Sequence, residues 1–160
     1  MIEGVLPGAD HLQNVHPLVI HFPIAFLSGA ALLYTLAWVT GREAWAWTGL
    51  WLLVLGALGA AAAVATGLYA APGVMVAPSV RAELLVPHKR IMLGVGSAGV
   101  VLTAWAAAAR PMPLRGRGLF VVLLLALVAA MTLGADYGGR MVYDYNAGGN
   151  ACGQPIDFTR

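Results

Sequence analysis

Hydrophobic and polar residues do not alternate along this chain; the hydrophobic ones gather into four long runs separated by short polar or proline-bearing breaks. The runs cover about 18–39, 44–71, 91–109 and 119–135, and the breaks fall at 40–43, 72–90 and 110–118. A helix needs about 20 apolar residues to cross roughly 30 Å of hydrocarbon, and each run meets or nearly meets that length. Strands that cross lipid are short, alternate in character and must close into a barrel, so runs this continuous predict helices. The expected fold is all-α, a polytopic bundle of four transmembrane helices over residues 1–145. Residues 146–160 follow as a polar, glycine-rich extramembrane tail, of a composition that orders mainly against a partner.

The second run is crowded with small residues. Gly56 and Ala60 are four apart, as are Gly59, Ala63 and Gly67, a spacing that presents a smooth stripe to a neighbouring helix. Gly94 and Ala98 repeat the pattern on a smaller scale in the third run. Trp45, Trp47, Trp51 and Trp105 lie towards helix ends, at the depth where an indole suits the membrane interface.

Composition sharpens the class. The 160 residues are 60% hydrophobic and 10% charged, whereas a soluble domain carries about 25% charged residues. Too few charges remain to face water, so the expected solvent for most of the surface is membrane lipid. The net charge is +2 with the basic residues scattered, and a nucleic-acid partner would need them clustered in a stripe. Glu3 and Asp10 stand where a signal peptide would carry positive charge, so the first run reads as a retained helix. The single cysteine, Cys152, has no partner for an internal disulfide.

An even number of spans puts both termini on one side. The opposite side receives Arg42, Arg110, Arg115 and Arg117 with Glu43, while the side of the termini holds Arg81, Lys89, Arg90, Arg140 and Arg160 with most of the acids. Basic residues in short loops near helix ends orient a chain most strongly, and acids do so weakly. The expected location is the bacterial inner membrane, multi-pass, with both termini extracytoplasmic.

All four histidines fall on the termini's side. His11 and His16 precede the first helix, His21 lies at or inside its start, and His88 opens the third. Pro17 and Pro87 favour first-turn positions beside them, and Pro23 either kinks the first helix or marks where its regular part begins. Imidazoles from two helices at one depth are the arrangement that binds a b-type haem, whose iron takes two axial nitrogens. His21 and His88 are the expected axial pair. Arg90, Arg140 and Tyr143 are candidate partners for the propionates. His16 is five residues before His21, roughly 140° away around a helix, and so serves a second site or bonds a backbone carbonyl. Against this stands the plainer reading of each histidine as a polar residue snorkelling to water or capping a helix. His11, His16 and His88 around copper or zinc form a further, weaker alternative. No CxxCH sequence is present, and GVGSAG at 94–99 lies inside a hydrophobic run, where it cannot cradle a phosphate.

Four motifs in order resemble a family of bacterial membrane proteins, domain of unknown function 2231. They are HPLVIHFPIAFL from His16, ATGLYA from Ala65, PHK from Pro87 and GADYGGRMVYDYNAG from Gly134. The resemblance covers most of residues 14–148 and implies a four-helix membrane domain. His16, His21 and His88 coincide with the family's histidine motifs, which implies a shared site without naming its ligand.

The function expected from these readings is that of a membrane electron-transfer subunit. It would hold haem b near the extracytoplasmic face, within a larger complex that contains other membrane or periplasmic redox subunits and draws on quinone. No residue set points to substrate turnover by the polypeptide, which suits a redox carrier or accessory subunit better than an independent enzyme. A non-catalytic structural subunit docking through the glycine-alanine stripe is the alternative, and a metal-binding or transport protein the weaker one.

Overall fold

Each hydrophobic run forms a helix, and every helix outruns the apolar stretch at its centre. A computed structural model describes residues 14–147; His11 and the tail with Cys152 lie outside the described residues. Helix α1 spans His16–Thr40, α2 Glu43–Gly73, α3 Pro78–Ala109 and α4 Arg117–Tyr145, all four long and apolar enough to cross a membrane. At 1.5 Å per residue the 31 residues of α2 reach about 46 Å, well beyond the hydrocarbon. The surplus lies at the end carrying the histidines. There α3 takes in Arg81, Glu83, Lys89 and Arg90, whose charges kept them out of the hydrophobic run.

Proline shapes two of these ends. In α1 a first turn, His16–Val19, and the section His21–Thr40 join at Ile20, which itself has helical dihedrals. Pro23 sits in the first turn of that section, and the helical bond from the Ile24 N–H to the Ile20 carbonyl runs past it. In α3 a π-turn over Arg81–Leu85 precedes Pro87, and the Val86 N–H bonds the Arg81 carbonyl five residues back. The wider turn absorbs the register disturbed by a residue with no N–H to give. Arg81 fastens the preceding connection by donating to the carbonyls of Ala71 and Val74.

The helices pack each on its sequence neighbours, and α1 closes the ring against α4. Glycine sets the α1–α2 spacing: a Cβ on Gly56 would meet Leu27 Cδ2 at 2.7 Å, and one on Gly59 would meet Pro23 Cδ at 3.1 Å. The stripe expected on the second run is therefore a helix-packing face. The third run differs from expectation, since Gly94 and Ala98 are exposed and α3 packs inward through Val95, Gly96, Gly99 and Leu102. The small residues adjoining on the sequence lie on different faces once the helix turns 100° per residue.

The core runs through Leu27, Leu53, Val121 and Leu124 to an aromatic cluster at the end opposite the histidines. Tyr34 meets Phe120 edge-on with centroids 4.9 Å apart, and Trp105 meets the same ring at 5.4 Å. Trp105 is thus a packing residue, whereas Trp45, Trp47 and Trp51 are exposed on the outer surface. The Tyr34 hydroxyl, fully buried, donates to the Pro111 carbonyl at 2.8 Å and seats the α3–α4 connection in the bundle end. An open groove of about 190 Å³ between α2 and α3, lined by Ala61, Val64, Leu93, Gly96, Ser97 and Val100, contains none of the candidate site residues.

Candidate functional site at the histidine end

Counting about 20 residues along each helix from the arginine-bearing connections places the far hydrocarbon boundary near Ile20, Ala63, Arg90 and Asp136. His16 and His88 stand within a turn of that boundary, one opening α1 and the other near the start of the regular part of α3. Both are half-buried.

Each of the two rings is held by the helix paired with its own. His88 Nδ1 lies 2.7 Å from the Gly134 carbonyl of α4. A carbonyl only accepts, so Nδ1 donates and carries the ring proton. His16 Nδ1 lies 3.1 Å from Thr66 Oγ1 of α2. The Thr66 hydroxyl spends its own hydrogen on the carbonyls of Ala62 and Ala63, at 2.9 and 3.1 Å, so its oxygen is left to accept. The carbonyl assigns the Nδ1–H tautomer to His88, and the Thr66 bonds to Ala62 and Ala63 favour the same tautomer for His16. Each Nε2 keeps its lone pair, with no hydrogen-bond partner among the described residues.

Two glycines make room for this arrangement. A Cβ on Gly67 would lie 2.8 Å from His16 Cε1, and one on Gly138 would lie 3.1 Å from His88 Cε1. Both imidazoles lie flush against backbone that any side chain would cover. Gly134 has a second duty, because a Cβ there would reach Ile91 Cγ2 at 2.9 Å and hold α4 away from α3. The four sequence motifs thus meet in pairs: HPLVIHFPIAFL with ATGLYA at His16, and PHK with GADYGGR at His88.

The remaining candidates are placed differently. His21 is exposed on α1 and makes no side-chain hydrogen bond among the described residues, whereas His16 and His88 are both half-buried and hydrogen-bonded. Arg90 is exposed, two residues and about 200° around α3 from His88. Arg140 pairs with Asp144 at 3.6 Å on the outer side of α4, and Tyr143 is 87% exposed. Gly138 is the part of α4 that faces His88, so Arg140, two residues on, is turned from it. Among the described residues no group of three or more His, Cys, Asp and Glu side chains converges, and His11 of the three-histidine metal alternative lies outside them.

Residue types and spacing do not single out Thr66, Gly134 and Gly138, and give Gly67 only as part of the packing stripe. Their signal was a hydroxyl within an alanine run and a cluster of glycines at a helix end, both inside the motifs already quoted.

No curated protein and no solved structure matches the sequence. A family model described as a predicted membrane protein (DUF2231) matches residues 12–151, a span that takes in all four helices and all four motifs. With all four helices and most of its length inside the matched span, the chain belongs to the DUF2231 family of predicted membrane proteins.

Proposed function

We propose that this protein is an electron-transfer subunit of the bacterial inner membrane that holds haem b between His16 and His88, near the extracytoplasmic face. One observation carries the reading: both imidazoles are anchored through Nδ1–H and leave Nε2 free. Metal-bound histidines usually give their other N–H to a carbonyl or similar acceptor, which fixes the ring and raises its basicity. Two protein ligands are also the number that haem iron takes when the porphyrin supplies its four equatorial nitrogens. A bare zinc or copper ion asks the protein for three or four.

Bound haem would supply one-electron chemistry between a quinone and a periplasmic redox partner. The chain's own part is to hold the imidazoles. Thr66 and the Gly134 carbonyl orient the rings, Gly67 and Gly138 let them lie close to the helices, and the apolar bundle below excludes water. Arginines concentrated in the two short connections at the other end favour that end for the cytoplasm, and so the histidines for the outer face.

The test is the absorption spectrum of protein purified in mild detergent from haem-replete cells, oxidised and dithionite-reduced, with a pyridine haemochrome assay. A b-type band that is lost in His16→Ala and in His88→Ala and kept in His21→Ala is the expected result. Loss in His21→Ala with retention in His16→Ala would move the ligand to His21. A colourless preparation would refute the haem reading and leave the accessory-subunit role.

A further inference from the structure

The end opposite the histidines carries a charge arrangement that the proposed redox chemistry does not use. Arg42 lies in the α1–α2 connection, Arg110 and Arg115 lie in the α3–α4 connection, and Arg117 opens α4. All four are exposed. The single carboxylate at this end, Glu43, accepts a hydrogen bond from Trp47 Nε1 at 3.1 Å. Among the described residues the ion pair present, Arg140 with Asp144, is at the other end. There Arg81, Lys89, Arg90 and Arg140 are offset by Glu83, Asp136 and Asp144. Among the described residues the excess of positive charge is therefore larger at the end opposite the histidines.

That face is built, and its arginines are held at a defined depth. Pro111, Met112 and Pro113 are buried, with the Tyr34 hydroxyl on the Pro111 carbonyl, so the connection bearing Arg110 and Arg115 is plugged into the bundle. A Cβ on Gly118 would lie 3.4 Å from Trp38 Cζ2, and one on Gly116 would lie 3.9 Å from Trp105 Cζ2, which draws the start of α4 against α1 and α3. Trp38, Trp45 and Trp47 are exposed around the same end. Exposed indoles of this kind sit at the headgroup level of a bilayer. The four guanidinium groups then lie at the depth of the lipid phosphates.

We infer that this arginine rim is a binding site for anionic phospholipid headgroups. The planar, permanently charged guanidinium grips phosphate oxygens two at a time, which a lysine ammonium cannot do. A zwitterionic headgroup brings its own cation and gains less from the rim. A basic residue near an anionic membrane surface is worth about a fivefold preference. The four together favour a phosphatidylglycerol annulus over phosphatidylcholine.

Native mass spectrometry of the full chain, released from nanodiscs of equal phosphatidylglycerol and phosphatidylcholine, reads the lipids that stay bound. Wild type is expected to retain mainly phosphatidylglycerol. Arg42→Gln, Arg110→Gln, Arg115→Gln and Arg117→Gln should each lower the preference about fivefold, with helicity by circular dichroism unchanged. Lys89→Gln, at the histidine end, should leave it as it was. Equal retention of the two lipids by wild type overturns the inference, as does an equal effect of Lys89→Gln. Displacement by millimolar inorganic phosphate would show that free phosphate is the ligand and overturn the lipid assignment. The measurement involves no haem, so its outcome is separate from that of the redox reading.

Discussion

Thr66→Val removes one acceptor and little else, and its effect can be worked from the geometry around His16. Valine matches threonine in shape, so packing against α1 is kept while Oγ1, 3.1 Å from His16 Nδ1, is lost. A hydrogen bond of this kind contributes about 1 kcal/mol net, and about 1.4 kcal/mol corresponds to tenfold. The Nδ1–H tautomer of His16 is thus favoured about fivefold by Thr66, and the variant gives up that factor. Deleting an outer partner of a metal ligand commonly costs more, about 10- to 100-fold in affinity. The smaller figure applies here because His16 is only half-buried and water can replace part of the lost bond. Nitrogen-15 NMR of histidine-labelled protein reads the tautomers directly, with or without a cofactor. Above the imidazole titration range, wild type should show the Nδ1–H signature for His16 and His88. Thr66→Val should shift only the His16 signal towards Nε2–H, and Thr66→Ser should restore it. A wild-type spectrum with His16 in the Nε2–H form would refute the assignment on which the proposed site rests.

Other substitutions test the packing that supports the site. Gly67→Ala places a methyl 2.8 Å from His16 Cε1; it should displace the ring and weaken any haem band by about tenfold or more in affinity, while Gly73→Ala, with open space around it, should change neither. Gly56→Ala drives a methyl to 2.7 Å from Leu27 Cδ2 and 3.1 Å from the Leu27 backbone nitrogen, an overpacking worth about 1–3 kcal/mol. The same substitution at Gly94, where nothing lies within 4 Å, should instead gain up to about 1 kcal/mol of helix propensity, so thermal unfolding in detergent should separate the two variants in opposite directions. Tyr34→Phe leaves the Pro111 carbonyl without its 2.8 Å donor in a buried setting and should cost about 1–3 kcal/mol, read by the same melt with the histidine tautomers unchanged.

The four helices were legible because hydrocarbon imposes one length and one composition on whatever crosses it. Helix ends were less so. Arg81 and Glu83 interrupt the apolar pattern, yet both are helical, because α3 continues past the depth at which charge is costly. The glycine stripe of α2 could be read as a packing face, but Gly94 and Ala98 could not be told from it by spacing alone. Which side of a helix meets a neighbour is decided by all four helices together. The histidines show the same boundary. Their common end of the bundle follows from the number of spans, whereas their azimuth does not. The five-residue step along the helix sets His16 against Thr66 and Gly67 and leaves His21 outside. The proton on Nδ1 was beyond the sequence for a related reason: it depends on where the Thr66 hydrogen points, and so on the carbonyls of Ala62 and Ala63 one turn earlier.

His16 is held by α2 and His88 by α4, each within its own helical hairpin. Neither anchor needs the other half of the molecule. As the chain enters the bilayer hairpin by hairpin, each can arrive with its imidazole already oriented. Docking of the hairpins is then the step that creates a two-ligand centre from two finished halves. Any group bridging the two rings would act as a clasp across that seam, so its loss would loosen the pairing of α1 and α2 with α3 and α4 before it unravelled any single helix.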